Sequence, residues 1–250
     1  VAGFGGRVAF IGKVADDQLG EVFAHDLRAA GVDYTPPDPA GRTDATARCM
    51  VLVTPDAQRT LNTFLGISSH LGRADVDGDL VASAQITYCE GYLWDQPVAK
   101  EAIRYAMEVA AVAGRQVAFT LSDPFCVDRH REEFLELAEN RVDLLFANEV
   151  ELCSLYETDN WDEAVTRVAG HCDVACLTRS EKGSVIATSD GAIIEVPAHP
   201  VGEVVDTTGA GDLYAAGFLY GYTQGMGLAD AGRLGSLAAG EVISHLGARP

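Results

Sequence analysis

Positive charge is scarce in this chain. Its 250 residues carry 18 Lys and Arg against 37 Asp and Glu, a formal net charge of −19. A surface of that sign repels nucleic acid and anionic membranes, so neither is expected as a partner. No apolar run is long enough to span a bilayer and no secretory-signal pattern is present, so a cytoplasmic location is the expectation. No internal repeat or low-complexity stretch interrupts the chain. No G-x-G-x-x-G follows the first apolar strand, and no ribose-binding acid lies beyond it, which argues against a dinucleotide-dependent oxidoreductase. Cysteine is present but unorganised: Cys49, Cys89, Cys126, Cys153, Cys172 and Cys176 are scattered through apolar or helical surroundings, as reduced thiols are. The segment from His171 to Cys176 lacks a second ligand pair at zinc spacing, and residues 173–177 read as a buried strand, so no metal is expected there.

What is present is an ordinary soluble composition, 48% hydrophobic, with length for one large α/β domain over residues 1–250 and a small appendage. Residues 7–11 read as a buried strand, 17–30 as an amphipathic helix stopped by Gly31, and 32–34 as a second strand; this β-α-β rhythm implies a parallel sheet. The chain opens at Val1 and enters its first strand almost at once, so an opening segment and the extreme C-terminus are expected to lie outside it. After the break at residues 36–41 (PPDPAG), stretches 46–54 and 59–64 form a hairpin around a turn at 55–58. Such a hairpin, with its strands inserted at about 44–66, is either a lid that excludes water from a site or an antiparallel edge of the main sheet. Further strands are expected at 84–89, 117–121, 142–146 and 174–178, with helices at 97–113 and 129–140, then a hairpin of 185–187 and 193–196. Ligands bind outside the carboxyl ends of strands in open parallel sheets, which makes Gly91 and Tyr92 candidate pocket walls, although such aromatics are also ordinary core.

The most informative stretch is Val205-Asp206-Thr207-Thr208-Gly209-Ala210-Gly211-Asp212. Val204 and Val205 read as a strand end, and residues 213–222 (LYAAGFLYGY) as a helix apolar on nearly every face, which places the corner between them inside the molecule. Gly209, Ala210 and Gly211 carry almost no side chain, so backbone N–H groups at the helix start can close on an anion. Asp212 would face that anion, and a carboxylate there suits phosphoryl transfer by taking the proton of an attacking hydroxyl. Taken singly, Gly-Ala-Gly is also a tight turn, and an Asp in a first turn is also a cap.

The whole string D-T-T-G-A-G-D resembles, letter for letter, the signature of the PfkB family of carbohydrate and nucleoside kinases. That resemblance implies a ribokinase-like α/β fold: three layers, a mostly parallel central sheet flanked by helices, and a β-hairpin lid. It implies an ATP-dependent kinase in which Asp212 is the base and Gly209, Ala210, Gly211 and Thr208 surround the phosphate. Arg59, in R-T-L-N, is similar to the arginine that reaches the transferred phosphate in the adenosine-kinase branch, with Leu61 and Asn62 beside the substrate; read alone, Arg59 is equally a solvated surface residue. Asn148 and Glu151 fit the family's N-x-x-E motif, which handles Mg²⁺ partly through water, while the same spacing is also a capping box. Thr178, Ser180 and Gly183 stand where the family has T-x-G-x-x-G along the ATP groove, with Ser in place of the first glycine. A helix over 228–246 ends in Ser244, His245 and Gly247, a region that in the family walls the adenine and shapes a monovalent-cation site such as one for K⁺.

The expected acceptor is a nucleoside or sugar with a primary hydroxyl, adenosine first, in a bacterial adenosine kinase-type protein of purine salvage. Fructose, ribose or 2-keto-3-deoxygluconate is the alternative, and a nucleotide-binding regulator without turnover is a third reading. A monomer or homodimer is compatible with all three.

Overall fold

The structure is a computed structural model and describes residues 1–248. The opening β-α-β is present but small: β1 (Val8–Ala9), α1 (Gln18–Ala29) and β2 (Val32–Asp33), with Val8 beside Val32 in parallel register. Asp17 starts α1 by accepting the Gly20 amide at 2.9 Å. The strand expected over 7–11 shrinks to two residues, and β1 and β2 form a sheet of their own rather than joining the main one. Its partner β2 cannot run on, because Pro36 and Pro37 offer no N–H to a ladder.

The hairpin of β3 (Arg48–Val53) and β4 (Arg59–Phe64) is likewise a separate antiparallel pair, with Val53 opposite Arg59. It is therefore not an edge of the main sheet, which leaves the lid reading. Its two roots meet where the Ile67 amide donates to the Ala45 carbonyl at 3.0 Å. Gly66, at φ +50, makes that approach possible; a Cβ there would lie 2.1 Å from the Ala45 oxygen. Thr46 then ties the root to α1, its amide donating to Asp17 at 2.8 Å.

The main body continues through α2 (Gly78–Ser83), β5 (Ile86–Glu90), α3 (Pro97–Val112), β6 (Gln116–Thr120), α4 (Pro124–Asn140), β7 (Leu144–Asn148), α5 (Glu149–Tyr156), α6 (Trp161–Ala169) and β8 (Val174–Thr178). It ends with β9 (Ser184–Thr188), β10 (Ile193–Val196), α7 (Ala210–Thr223) and α8 (Leu228–Val242). The central sheet has the order β10-β9-β8-β7-β6-β5; β5 to β8 run parallel, and β9 and β10 fold back antiparallel. Alternate strand residues feed two cores. Phe119, Leu145 and Leu177 pack with Trp94, Phe134 and Leu152 against α3 to α6, while Leu144, Phe146 and Ile186 pack with Tyr214 and Phe218 against α7 and α8. This is the expected three-layer, mostly parallel architecture.

Two boundaries differ from expectation for local reasons. The α4 helix begins at Pro124 and not near 129, because Asp123 accepts the Cys126 amide at 2.8 Å and proline fits the first helical position. No strand forms at Val204 and Val205: the Val205 amide donates to the Ile243 carbonyl at 2.8 Å, at the end of α8, which itself stops at Val242.

Candidate active site

The parallel strands β5 to β8 deliver their carboxyl ends to one face of the sheet, and the start of α7 arrives there too. Gly209 caps α7 at φ +82, and a Cβ would lie 3.0 Å from the Cβ of Ala248, so dihedral and packing both require glycine. The amides of Gly209, Gly211 and Asp212 find no acceptor among the described residues. The expectation for Ala210 is corrected: its amide turns back onto the Thr207 carbonyl at 3.3 Å, because the left-handed Gly209 curls the chain over it. An added Cβ on Gly211 would meet nothing within 4 Å, so the helix is uncovered on that side. The corner is therefore not interior; burial begins one turn later, at Tyr214 and Ala215.

Asp206, 2% exposed, organises the back of this corner. It accepts the Thr208 hydroxyl at 2.6 Å, the Thr208 amide at 2.9 Å and the Gly247 amide at 3.0 Å. The Thr208 bonds lead in holding its carboxyl below the usual range. Gly247, at φ +97, thus joins the corner. Ser244 and His245 do not: the Ser244 hydroxyl donates to Glu241 at 2.6 Å, and the His245 ring lies 3.2 Å from the Glu241 carboxylate, both at the end of α8.

The lid reaches the corner from the other side. The Arg59 guanidinium donates to the Thr207 hydroxyl, which in turn donates to the Ala57 carbonyl at the hairpin tip. Leu61 shares the Arg59 face of the hairpin. Asn62 pairs with Met50 on the face opposite Arg59, because successive residues of a strand point to opposite sides.

Asp212 stands in the first turn of α7, its side chain open at the mouth but crowded by the surrounding walls. Desolvation raises its pKa, and the Arg59 charge partly opposes that rise. Its charge is felt by Glu90, Glu151 and Tyr92. Glu151 is 6% exposed, and burial pushes it to about 7, against the hydrogen bond from the Asn148 amide. Asn148 and Glu151 form a reciprocal capping box: the Asn148 amide donates to Glu151 at 3.0 Å, and the Glu151 amide donates to Asn148 at 2.9 Å. The Asn148 side-chain amide also donates to Glu151 at 2.6 Å. The capping-box reading is the arrangement seen, and it holds a buried carboxylate on which the Asp212 charge acts. Among the described residues no group of three or more His, Cys, Asp or Glu side chains is built to hold a metal alone, so a magnesium ion here would rely on phosphate and water beside the single Glu151.

Thr178 ends β8, and Ser180 has φ +51, the left-handed conformation that glycine favours. Gly183 has a packing reason to be glycine: at φ +86 its Cβ would lie 2.1 Å from the Val196 carbonyl. Arg179, between them, donates to Glu149 at 2.7 Å and stacks over Trp161.

Glu90 went unread in the sequence. It ends β5 exposed to solvent, its side chain without a hydrogen-bond partner among the described residues, and crowding by the cavity walls together with the Asp212 charge raises its pKa. Its neighbour Gly91 is pinned at both backbone atoms, the amide by the Ser122 hydroxyl at 2.8 Å and the carbonyl by the Cys126 thiol at 3.2 Å. Tyr92 follows, 50% exposed, amid the charges of Asp123, Asp212, Glu151 and Glu90. Its place at a strand end beside Gly91 was the available signal for Glu90. Glu90 and Asp212 line one cavity of about 1090 Å³, walled by β1, β5 and α7.

Comparison with known proteins places the chain as a whole. The description "pfkB family carbohydrate kinase" matches residues 1–250. The chain belongs to the pfkB family. It is 52% identical to a solved adenosine kinase from Sinorhizobium meliloti, with a TM-score of 0.95 over 100% of this chain and 76% of that one. It has the same identity and TM-score with a probable sugar kinase from Rhizobium etli CFN 42, over 100% of this chain and 75% of that one. Among curated proteins it is 26% identical over 254 residues to a 5-dehydro-2-deoxygluconokinase of Geobacillus thermodenitrificans, covering 98% of this chain and 75% of the relative. This pfkB protein is thus a sugar or nucleoside kinase, a phosphotransferase with a hydroxyl acceptor, and membership supports ATP as its donor. No helix among the described residues is long and apolar enough to cross a membrane.

Proposed function

We propose that this pfkB kinase transfers the γ-phosphoryl group of ATP to the ribose 5′-hydroxyl of adenosine, giving AMP and ADP. The observation that supports the transfer chemistry is the start of α7, where Asp212 stands in the same turn as backbone amides that have no acceptor among the described residues. Asp212 takes the proton of the attacking hydroxyl as the new P–O bond forms and the bond to ADP breaks. Its raised pKa makes it a better base than a free carboxylate. The Gly209, Gly211 and Asp212 amides receive charge from the transferred group, and Arg59 brings a guanidinium from the lid. Magnesium, held through Glu151, water and phosphate, would neutralise charge on the donor. Glu90 and Tyr92 wall the acceptor side with a hydrogen-bond acceptor and an aromatic face.

The choice of adenosine rests on similarity to the Sinorhizobium meliloti adenosine kinase. The second reading, 5-dehydro-2-deoxygluconate, is favoured by the curated relatives. An ATP-dependent assay over adenosine, ribose, fructose, 2-keto-3-deoxygluconate and 5-dehydro-2-deoxygluconate tests both. Turnover of adenosine with the highest kcat/KM is expected, with kcat of Asp212→Asn lower by about 10²–10⁴ from loss of the base. Preference for a sugar would replace the acceptor assignment, and full activity in Asp212→Asn would remove the assigned base.

A further inference from the structure

The 3₁₀ turn Gly91–Asp95 carries Tyr92, and α4 grips it at both ends. At its start, Cys126 in the first turn of α4 donates to the Gly91 carbonyl, and Phe134 lies beneath, its ring 3.0 Å from where a Gly91 Cβ would stand. At its end, Asp95 is held by three bonds. Arg129 donates in a fork, Nε to one oxygen at 3.0 Å and a terminal nitrogen to the other at 2.8 Å, and the His130 Nε2 lies 2.6 Å from the first.

The helix is deformed where these bonds are made. His130 has φ −125 and ψ 21, outside helical values, in the middle of α4, where no proline or glycine explains a kink. An unbroken helix would spread residues 129 and 130 about 100° apart around its axis, so neighbours do not ordinarily reach the same target. With the break, both converge on Asp95. The His130 ring then lies against Phe134, at a centroid distance of 6.0 Å, and Phe134 packs on Trp94 of the same turn. Other charges around this grip are Glu133, 4.0 Å from the His130 ring, and Lys100 and Arg104 of α3, which bond to Glu133.

We propose that Asp95, Arg129 and His130 are positioning residues for the acceptor substrate: through the kink in α4 they fix the turn 91–95 and so the orientation of Tyr92. Forked, charge-assisted bonds fix direction as well as distance, which is what a wall residue on a short turn needs. The inference rests on the reading of Tyr92 as a wall of the acceptor cleft.

The test is a double-mutant cycle on the whole chain with adenosine as probe, measuring kcat and KM for adenosine and for ATP separately in wild type, Asp95→Ala, Tyr92→Ala and the double variant. Asp95→Ala is expected to raise the adenosine KM by roughly 5–20-fold, with kcat and the ATP KM within about twofold, as loss of uniform substrate binding does. Once Tyr92 is alanine, Asp95→Ala should add little further. The charge swap Asp95→Arg with Arg129→Asp should recover part of the loss, and hydrogen exchange at residues 91–95 should quicken in Asp95→Ala alone. Additive effects, equal shifts in both KM values, or faster exchange with an unchanged adenosine KM would each overturn the proposal while leaving the kinase reading intact. Wild-type turnover of a sugar and not adenosine moves the same cycle to that sugar; turnover of no acceptor defeats the function reading and this inference with it.

Discussion

Glu151→Gln should make the protein more stable in alkaline solution and, if Glu151 holds magnesium as proposed, weaken its response to Mg·ATP. Burial raises the Glu151 pKa from 4.5 to about 7, and the side chain is 6% exposed. A group whose folded pKa is raised contributes stability that is complete below its unfolded pKa and is lost as pH rises through the folded one. Here the window runs from about 4.5 to about 7, and the shift of about 2.5 corresponds to about 3 kcal/mol lost above it, since each pKa unit is about 1.4 kcal/mol. Gln carries no such charge. It keeps one acceptor for the two Asn148 donors, as the neutral carboxylic acid does, so the two side chains match where Glu151 is protonated. At pH 8.5 the gain is then about 3 kcal/mol, or roughly 6–12 °C in Tm for a chain of this size. Below the ordinary Glu pKa of 4.5, where Glu151 is protonated both folded and unfolded, the two proteins should melt together. Thermal melts from about pH 4 to 8.5 check this directly. A Tm difference that stays flat with pH would refute the burial argument. Repeating the melts with Mg·ATP tests the role: wild type should gain stability from the ligand at pH 8.5, and Glu151→Gln should gain much less.

Three further outcomes follow from the geometry. Arg59→Ala should lower kcat by about 10²–10³, the usual effect of removing one donor to a developing charge. It should also shift the acid limb of the pH–rate profile upward, because the Arg59 charge is what lowers the Asp212 pKa. Gly183→Ala should lose about 3 kcal/mol by combining left-handed strain with a Cβ 2.1 Å from the Val196 carbonyl, seen as a Tm lower by roughly 6–12 °C. Thr46→Val removes the hydroxyl that donates to Asp17 at 2.6 Å and loosens the lid root, so proteolysis within residues 44–66 should quicken while the Tm of the main body changes little.

The fold was legible wherever residue pattern and burial coincide. Residues 213–222 are apolar on every side because α7 packs on both the sheet and α8, and the sequence declares that without help. The strands β5 to β8 were legible for the same reason. What could not be read was pairing: nothing in residues 7–11 says that their partner would be two residues long, so β1 was expected in the main sheet. At the site, a glycine-rich corner ending in Asp212 carries its own chemistry, and its letters sufficed. Glu90 and Asp95 were invisible because their importance comes from what the fold sets beside them. Glu90 matters through the nearness of Asp212, and Asp95 through a helix kink that no residue type announces. Asn62, three residues on from Arg59, falls on the other face of the strand, a placement set by pleat and not by residue type.

The charge distribution gives the cleft a requirement of its own. Glu90, Asp123, Glu151 and Asp212 act on one another or on Tyr92, and Arg59 is the cation whose charge reaches Asp212. Crowding and the Asp212 charge raise the pKa of both Glu90 and Glu151, and a polyphosphate entering alone would push both further toward the protonated form. A donor accompanied by a divalent cation held through Glu151, as proposed, would do the reverse. It would favour the ionised state of Glu151 and give the unpaired amides at the start of α7 an acceptor. Binding of the metal-free nucleotide should therefore take up protons and weaken as pH rises, whereas the magnesium complex should release them and strengthen over the same range. Calorimetry of ATP binding in two buffers of different ionisation enthalpy, with and without magnesium, reads the sign of that proton exchange. Equal proton counts in the two titrations would show that Glu151 does not sense the metal.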